Sequence, residues 1–226
     1  MSEEIPTGLV VRDDLFDEKC EKRKPCVLVD SESKEYPCMY HSKEGIDKGN
    51  WHHLDHLCNG RVCEDEGNMP KSGIKSLARR TQHYGYVYDY KKANSLDETV
   101  PLSDNPVVAE FADIFSPNFD SKLPTQCIVN EYRADPRKTG QGISAHTDSR
   151  VFGPIIMTLS LCGKAEMVFS REDYEPYTVK LKPGTCVLLS SDSRYKWKHM
   201  IKNLKRSDVD HEDPRRISLT YRTVKE

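Results

Sequence analysis

From residue 126 onward, apolar and polar positions alternate in short runs separated by turn residues. The runs 127–132, 155–161, 165–170, 177–181, 185–189 and 216–222 are each five to seven residues long and rich in Val, Ile, Leu, Thr, Tyr and Phe. Alternation of that length reads as strands, because successive side chains of an extended chain point to opposite faces. Lys182-Pro183-Gly184 between two of the runs is a turn signal. Short strands spaced by turns predict an all-β sandwich or barrel. In 216–222, Ile217, Leu219 and Tyr221 fall on one face, and Arg216, Ser218, Thr220 and Arg222 on the other.

The first half is less regular. Residues 8–11 are strand-like and 13–18 are acidic and helical in character. Residues 30–78 are polar and resist assignment. Tyr84, Tyr86, Tyr88 and Tyr90 alternate, which places all four on one face of a single strand. Residues 91–104 read as a polar loop. Residues 105–115 have helical spacing, with Val107 or Val108, Phe111 and Ile114 or Phe115 inward.

Composition bounds the class. A chain of 226 residues predicts one domain with a modest extension. The boundaries expected are an N-terminal extension over 1–78, a candidate substrate-recognition lid, and a core over 79–226. With 36% hydrophobic residues there is no apolar run long enough for a membrane span. The acidic start, Met1-Ser2-Glu3-Glu4, lacks the apolar stretch of a secretory signal. A reducing intracellular compartment, cytoplasm or nucleus, is the simplest reading, and the eight cysteines then form no disulfide framework. A monomer is expected.

Net charge is −2, which does not announce a nucleic-acid binder. Basic residues do cluster locally, at Lys71, Lys75, Arg79 and Arg80 and again over 194–206. Phosphate contacts need only local charge. Five of the eight cysteines lie at or before Cys63, and His41, His52, His53 and His56 stand among them. Zinc takes such ligands, yet Cys58-x₄-Cys63 and its neighbours match no standard finger. Two readings stand for this stretch, a structural zinc and a loosely packed lid.

The candidate chemistry lies between the strands. His146 and Asp148 stand two apart and share a face if the chain is extended. His199 follows in Lys196-Trp197-Lys198-His199. Two imidazoles and one carboxylate can occupy one face of an octahedral Fe(II) and leave three positions open. Arg216 and Arg222, on one strand face, are costly to bury without an anion. A dicarboxylate would satisfy them through charge-assisted hydrogen bonds. Asn130 and Tyr132 share a face and offer neutral donors.

Taken together, Asn130-x-Tyr132, His146-x-Asp148, His199 and Arg216-x₅-Arg222 resemble the AlkB family of Fe(II)- and 2-oxoglutarate-dependent dioxygenases. The resemblance spans roughly residues 79–224. Arg80-Thr81-Gln82-His83-Tyr84-Gly85-Tyr86, the run Leu159-Ser160-Leu161 and Ser193-Arg194-Tyr195-x-Trp197-x-His199 look most like the dioxygenase domain of eukaryotic tRNA wobble-uridine hydroxylases. The resemblance implies a jelly roll, or double-stranded β-helix, with a few flanking helices. It implies iron on His146, Asp148 and His199, and 2-oxoglutarate held by Arg216 with Asn130, Tyr132, Ser218 and Arg222 completing the pocket. Arg80, Tyr84, Tyr86 and Arg150 are the implied substrate contacts, and RNA is the implied partner. In alkylation-repair members the position of Arg150 carries an acid, and an arginine cannot accept a hydrogen bond from an exocyclic amine. That departure disfavours direct reversal of 1-methyladenine or 3-methylcytosine. The tRNA-modifying relatives also carry an RNA-recognition module and a methyltransferase domain, for which 226 residues leave no room. The other readings are a protein hydroxylase or demethylase, DNA alkylation repair, and an inactive jelly-roll binding module.

Overall fold

In the computed structural model of the chain, the residues described are 5–13, 27–29, 35–37, 79–89, 95–120, 122–133, 141–204 and 215–225. The candidate zinc cluster, the acidic stretch 14–18 and most of the candidate lid lie outside them. Two compact units are present, one of residues 14–76 and one of residues 1–13 and 77–226. In the first, β2 (Val27–Val29) pairs antiparallel with β3 (Glu35–Pro37).

Two antiparallel sheets and a separate hairpin make up the described strands of the second unit. The larger has six strands, built on β7 (Gln126–Arg133), β9 (Phe152–Cys162), β12 (Cys186–Leu189) and β14 (Arg215–Val224). Its edges are β1 (Leu9–Arg12), paired with β12, and β4 (Arg80–Tyr84), paired with β7. The expected boundary at residue 78 therefore needs correction. Residues 9–12 supply an edge strand of the core, because Leu9 to Arg12 hydrogen-bond along β12. The smaller sheet contains β11 (Tyr177–Leu181), β10 (Ala165–Ser170), β13 (Lys198–Ile201) and β8 (Ile143–His146), in that order.

The alternation of apolar residues explains how these sheets pack. Ala165, Met167 and Phe169 of β10 and Val179 and Leu181 of β11 are buried with Tyr132, Ile156, Val187 and Leu189 of the larger sheet. This shared core is the interior of a jelly roll. The other face of the larger sheet takes α1 (Pro106–Phe115). Phe115 meets Tyr221 edge-on at 5.5 Å, and the Tyr221 hydroxyl donates to the Val108 carbonyl at 2.9 Å. Strand β14 is thus buried on both faces, with Ile217, Leu219 and Tyr221 toward the helix and Arg216 and Arg222 toward the jelly-roll interior.

Three local expectations change. The tyrosine strand does not run through: Gly85, at φ +77°, ends β4 and starts β5 (Tyr86–Asp89), which belongs to a separate hairpin with β6 (Ser95–Glu98). A Cβ at Gly85 would stand 2.0 Å from the Thr125 carbonyl oxygen, so the turn has no room for a side chain. Second, β6 and a 3₁₀ turn at Leu102–Asp104 occupy the stretch read as a loop. Third, α2 (Ser191–Tyr195) stands between β12 and β13 where no helix was expected.

Candidate active site

The site begins with strand register. His146 and His199 are cross-strand partners on β8 and β13, with ring centroids 4.5 Å apart. Asp148 lies two residues beyond β8, in the loop that leaves the sheet, and its carboxylate turns back to the histidines. One ligand atom from each of His146, Asp148 and His199 lies within 4.8 Å of the others. His146 Nδ1 lies 2.8 Å from the Ser144 carbonyl oxygen. A carbonyl only accepts, so Nδ1 carries the hydrogen and Nε2 keeps its lone pair for a metal.

Electrostatics suit the same use. Burial lowers the His199 pKa to about 4, against the opposing pull of Asp148, so the ring is neutral at pH 7. Burial by itself would raise the Asp148 carboxyl. The charges of Arg222, His199, His146 and Arg194 outweigh it, and the group ends at about 2. Asp148 is therefore a carboxylate throughout the physiological range. Two imidazoles and a carboxylate converging on one point fit a divalent iron.

The larger sheet supplies the rest of the cleft. Register pairs Arg216 with Tyr132 and Ser218 with Asn130, so four side chains from β7 and β14 face the interior as one group. All four line the cleft that His146, Asp148 and His199 also line. Arg216 has no exposed surface. Its Nη1 donates to Ser218 Oγ at 3.2 Å and its Nη2 to Ser160 Oγ at 2.9 Å, so two hydroxyls aim the guanidinium fork. Ser160, on β9, lies in the Leu159-Ser160-Leu161 run that carried part of the resemblance, which assigned it no role.

The second arginine differs from its expected place. Six residues of strand separate Arg222 from Arg216 by about 20 Å along the backbone. Arg222 Nη2 lies 2.6 Å from Asp148 Oδ1, its Nη1 donates to Gln126 Oε1 at 3.4 Å, and its plane lies 4.6 Å from the Phe152 ring centroid. It braces the carboxylate beside the histidines and does not stand next to Arg216.

Of the candidate substrate contacts, Tyr84 is corrected outright. It is 1% exposed, and its hydroxyl accepts from Asn105 Nδ2 at 3.0 Å. Asn105 caps α1 by accepting from the Val107 and Val108 amides, so Tyr84 belongs to a helix cap and has no free ring face. Tyr86 sits in the β5–β6 hairpin and Arg150 on an exposed turn, and neither lines the cleft. The Arg80 side chain lies outside the described residues.

Two residues join to which the sequence assigned no role beyond local basic charge. Arg79 lines the cleft, and its Nε donates to Asn130 Oδ1 at 2.7 Å. Arg194, on α2, is 1% exposed and donates to the carbonyls of Asp148 at 2.9 Å, Ser149 at 2.7 Å and Gly153 at 3.4 Å. No carboxylate side chain receives these bonds. The guanidinium fastens the loop that carries Asp148 by its backbone.

With this geometry in view, comparison with known proteins is decisive at the level of family. The chain matches the 2OG-Fe(II) oxygenase superfamily over residues 37–222. It belongs to that superfamily. The chain is 31% identical over 178 residues to an Arabidopsis thaliana protein named alkylated DNA repair protein ALKBH8 homolog. That match covers 65% of this chain and 49% of the relative. A Macaca fascicularis protein, named tRNA (carboxymethyluridine(34)-5-O)-methyltransferase ALKBH8, is 31% identical over 145 residues, covering 61% of this chain and 20% of the relative. The dioxygenase thus spans about half the length of the first relative and a fifth of the second. A Trichoplax adhaerens prolyl hydroxylase, solved with a hypoxia inducible factor peptide fragment, superposes with a TM-score of 0.52 at 9% identity, over 96% of this chain and 83% of that one. That likeness concerns the jelly-roll fold alone. Among the described residues, no helix is long and apolar enough to cross a membrane.

Proposed function

We propose that this oxygenase is of AlkB type, holds Fe(II) on His146, Asp148 and His199 and uses 2-oxoglutarate to oxidise a modified base in RNA, with tRNA the favoured class. The observation that carries the reading is the convergence of two imidazoles and a carboxylate in the cleft that also contains the buried Arg216. Iron bound with 2-oxoglutarate and O₂ would supply the oxidising chemistry, one oxygen atom going to the substrate C–H and the other to succinate as 2-oxoglutarate loses CO₂. The chain's own groups do the rest. Arg216, aimed by Ser160 and Ser218, offers a planar fork to the far carboxylate of 2-oxoglutarate. Asn130 and Tyr132 border that end. Arg222 keeps the Asp148 carboxylate charged and oriented, and His146 is held in one tautomer by Ser144.

The relatives named for ALKBH8 support a nucleic-acid substrate, and the exposed Arg150 where repair members carry an acid supports RNA modification over base repair. RNA loops present bases that are splayed and stacked without unpairing a helix. The protein acts as a monomer in this reading.

The test has two parts. Purified protein with Fe(II), ascorbate and 2-oxoglutarate should form succinate, and His146→Ala or Asp148→Ala should abolish it. Modified nucleosides from RNA of cells with and without the gene, compared by mass spectrometry, should differ in an oxidised or demethylated base. Unchanged RNA together with turnover on a methylated or hydroxylatable peptide would move the protein to protein oxidation. Efficient repair of methylated duplex DNA would move it to alkylation repair.

A further inference from the structure

The charges in the cleft do not balance, and the imbalance points at one side chain. Its charged lining is three arginines, Arg79, Arg216 and Arg222, against one carboxylate, Asp148. Under the reading proposed above, Fe(II) adds two positive charges and 2-oxoglutarate two negative ones, so the loaded cleft still has two positive charges in excess. Arg216 has the far carboxylate to meet, and Arg222 is already on Asp148 at 2.6 Å. Arg79 has no carboxylate partner among the described residues. Its one hydrogen bond there runs from Nε to Asn130 Oδ1, which leaves both Nη groups of the fork unassigned.

The position of Arg79 gives that charge a use. It immediately precedes β4, the edge strand of the larger sheet, where Thr81 pairs with Asn130 and His83 with Ile128. Cross-strand partners share a face, so residues 81 and 83 lie on the cleft side of the sheet and Tyr84 on the other. Burial, reinforced by Arg222 and Arg79, lowers the His83 pKa to about 4, so this neighbour adds no charge at pH 7. The half-buried Arg79 guanidinium is therefore a cation on the edge-strand side of the cleft.

We propose that Arg79 is a specificity-determining residue: it donates to a carbonyl oxygen on the base and turns away bases with a positive charge. The inference rests on the reading of the cleft as a base-oxidising site. It sorts substrates of equal shape by charge. A neutral pyrimidine with an oxygen at position 4 presents an acceptor to the guanidinium. A cationic N3-methylated cytosine presents an ammonium-like donor to the same fork, and like charges in a partly desolvated site repel.

3-Methyluridine and 3-methylcytidine are the matched probes, near-identical in shape and differing in that oxygen and in charge. Each is placed centrally in the same short single-stranded RNA. Binding is measured with Mn(II) in place of iron and N-oxalylglycine in place of 2-oxoglutarate, so no turnover is needed. The wild type should bind the 3-methyluridine oligonucleotide roughly tenfold more tightly than its partner. Arg79→Gln should bring the two within about twofold, and Arg79→Glu should invert the order. Equal affinities in the wild type would overturn the proposal. So would a uniform loss in Arg79→Gln with the ratio kept, which would make Arg79 a phosphate contact. Absence of binding to either RNA would overturn it together with the nucleic-acid reading. Succinate formation without RNA separately tests the reading of the cleft, so failure at that level is distinguishable from failure of the selectivity.

Discussion

Arg222 and Asp148 form a nearly buried ion pair, Nη2 to Oδ1 at 2.6 Å, at the centre of the site. A buried carboxylate is expensive unless its charge is matched. Here the match comes from the last strand of the jelly roll and reaches a loop that follows β8. Breaking such a pair by removing one partner strands the other. Arg222→Met should lower stability by roughly 3–5 kcal/mol in urea unfolding of the metal-free protein. A change below about 1 kcal/mol would show that water already screens the pair.

Arg194 tests how the Asp148 loop is held. Its three bonds go to backbone carbonyls, so substitution leaves every proposed ligand in place. Arg194→Met should weaken Mn(II) binding by tenfold or more, about 1.4 kcal/mol or greater. Arg194→Lys, with a single point of attachment, should recover only part of it. Titration calorimetry at fixed pH reads both. Full Mn(II) affinity in Arg194→Met would show that the loop keeps its shape without the clamp.

Ser160 bears on the cosubstrate end. Its hydroxyl accepts from Arg216 Nη2, and without it the guanidinium loses one of two aiming contacts. Ser160→Ala should raise the KM for 2-oxoglutarate by about tenfold or more, with Mn(II) affinity unchanged, since a hydrogen bond to a charged group is worth roughly 1.5–3 kcal/mol. An unchanged KM would place the far carboxylate elsewhere.

Glu110 should give stability a distinct pH dependence. Burial on α1 raises its carboxyl from 4.5 to about 7, and its Oε2 has no hydrogen-bond partner among the described residues. A carboxyl whose folded pKa stands above the unfolded value binds its proton more tightly when folded. Its stabilisation is fully present below about 4.5 and is lost as the pH rises through about 7. Glu110→Gln should flatten this part of the melting profile and melt higher than the wild type on the alkaline side. Parallel profiles for the two proteins would remove the assignment.

Much of the architecture was legible before any coordinates. The strands of the second half, the helix over 105–115 and the two faces of 216–222 follow from alternation and spacing, which are local properties of the chain. So does the pairing of chemistry with position: His146, Asp148 and His199, and Arg216 with Asn130 and Tyr132, reach one cleft because each lies on the inward face of its strand or just beyond it. What tertiary structure alone decided is where long side chains end. A guanidinium reaches several ångströms from its backbone, so Arg222 met Asp148, Arg194 met two carbonyls of the Asp148 loop and one of β9, and Arg79 met Asn130, across separations of 41 to 74 residues that no periodicity encodes. Tyr84 was lost to a helix cap for the same reason: its hydroxyl answers to Asn105, which strand alternation does not see. Residues 9–12 joined the larger sheet because backbone pairing with β12 depends on a free sheet edge, and an edge exists only once the fold has formed.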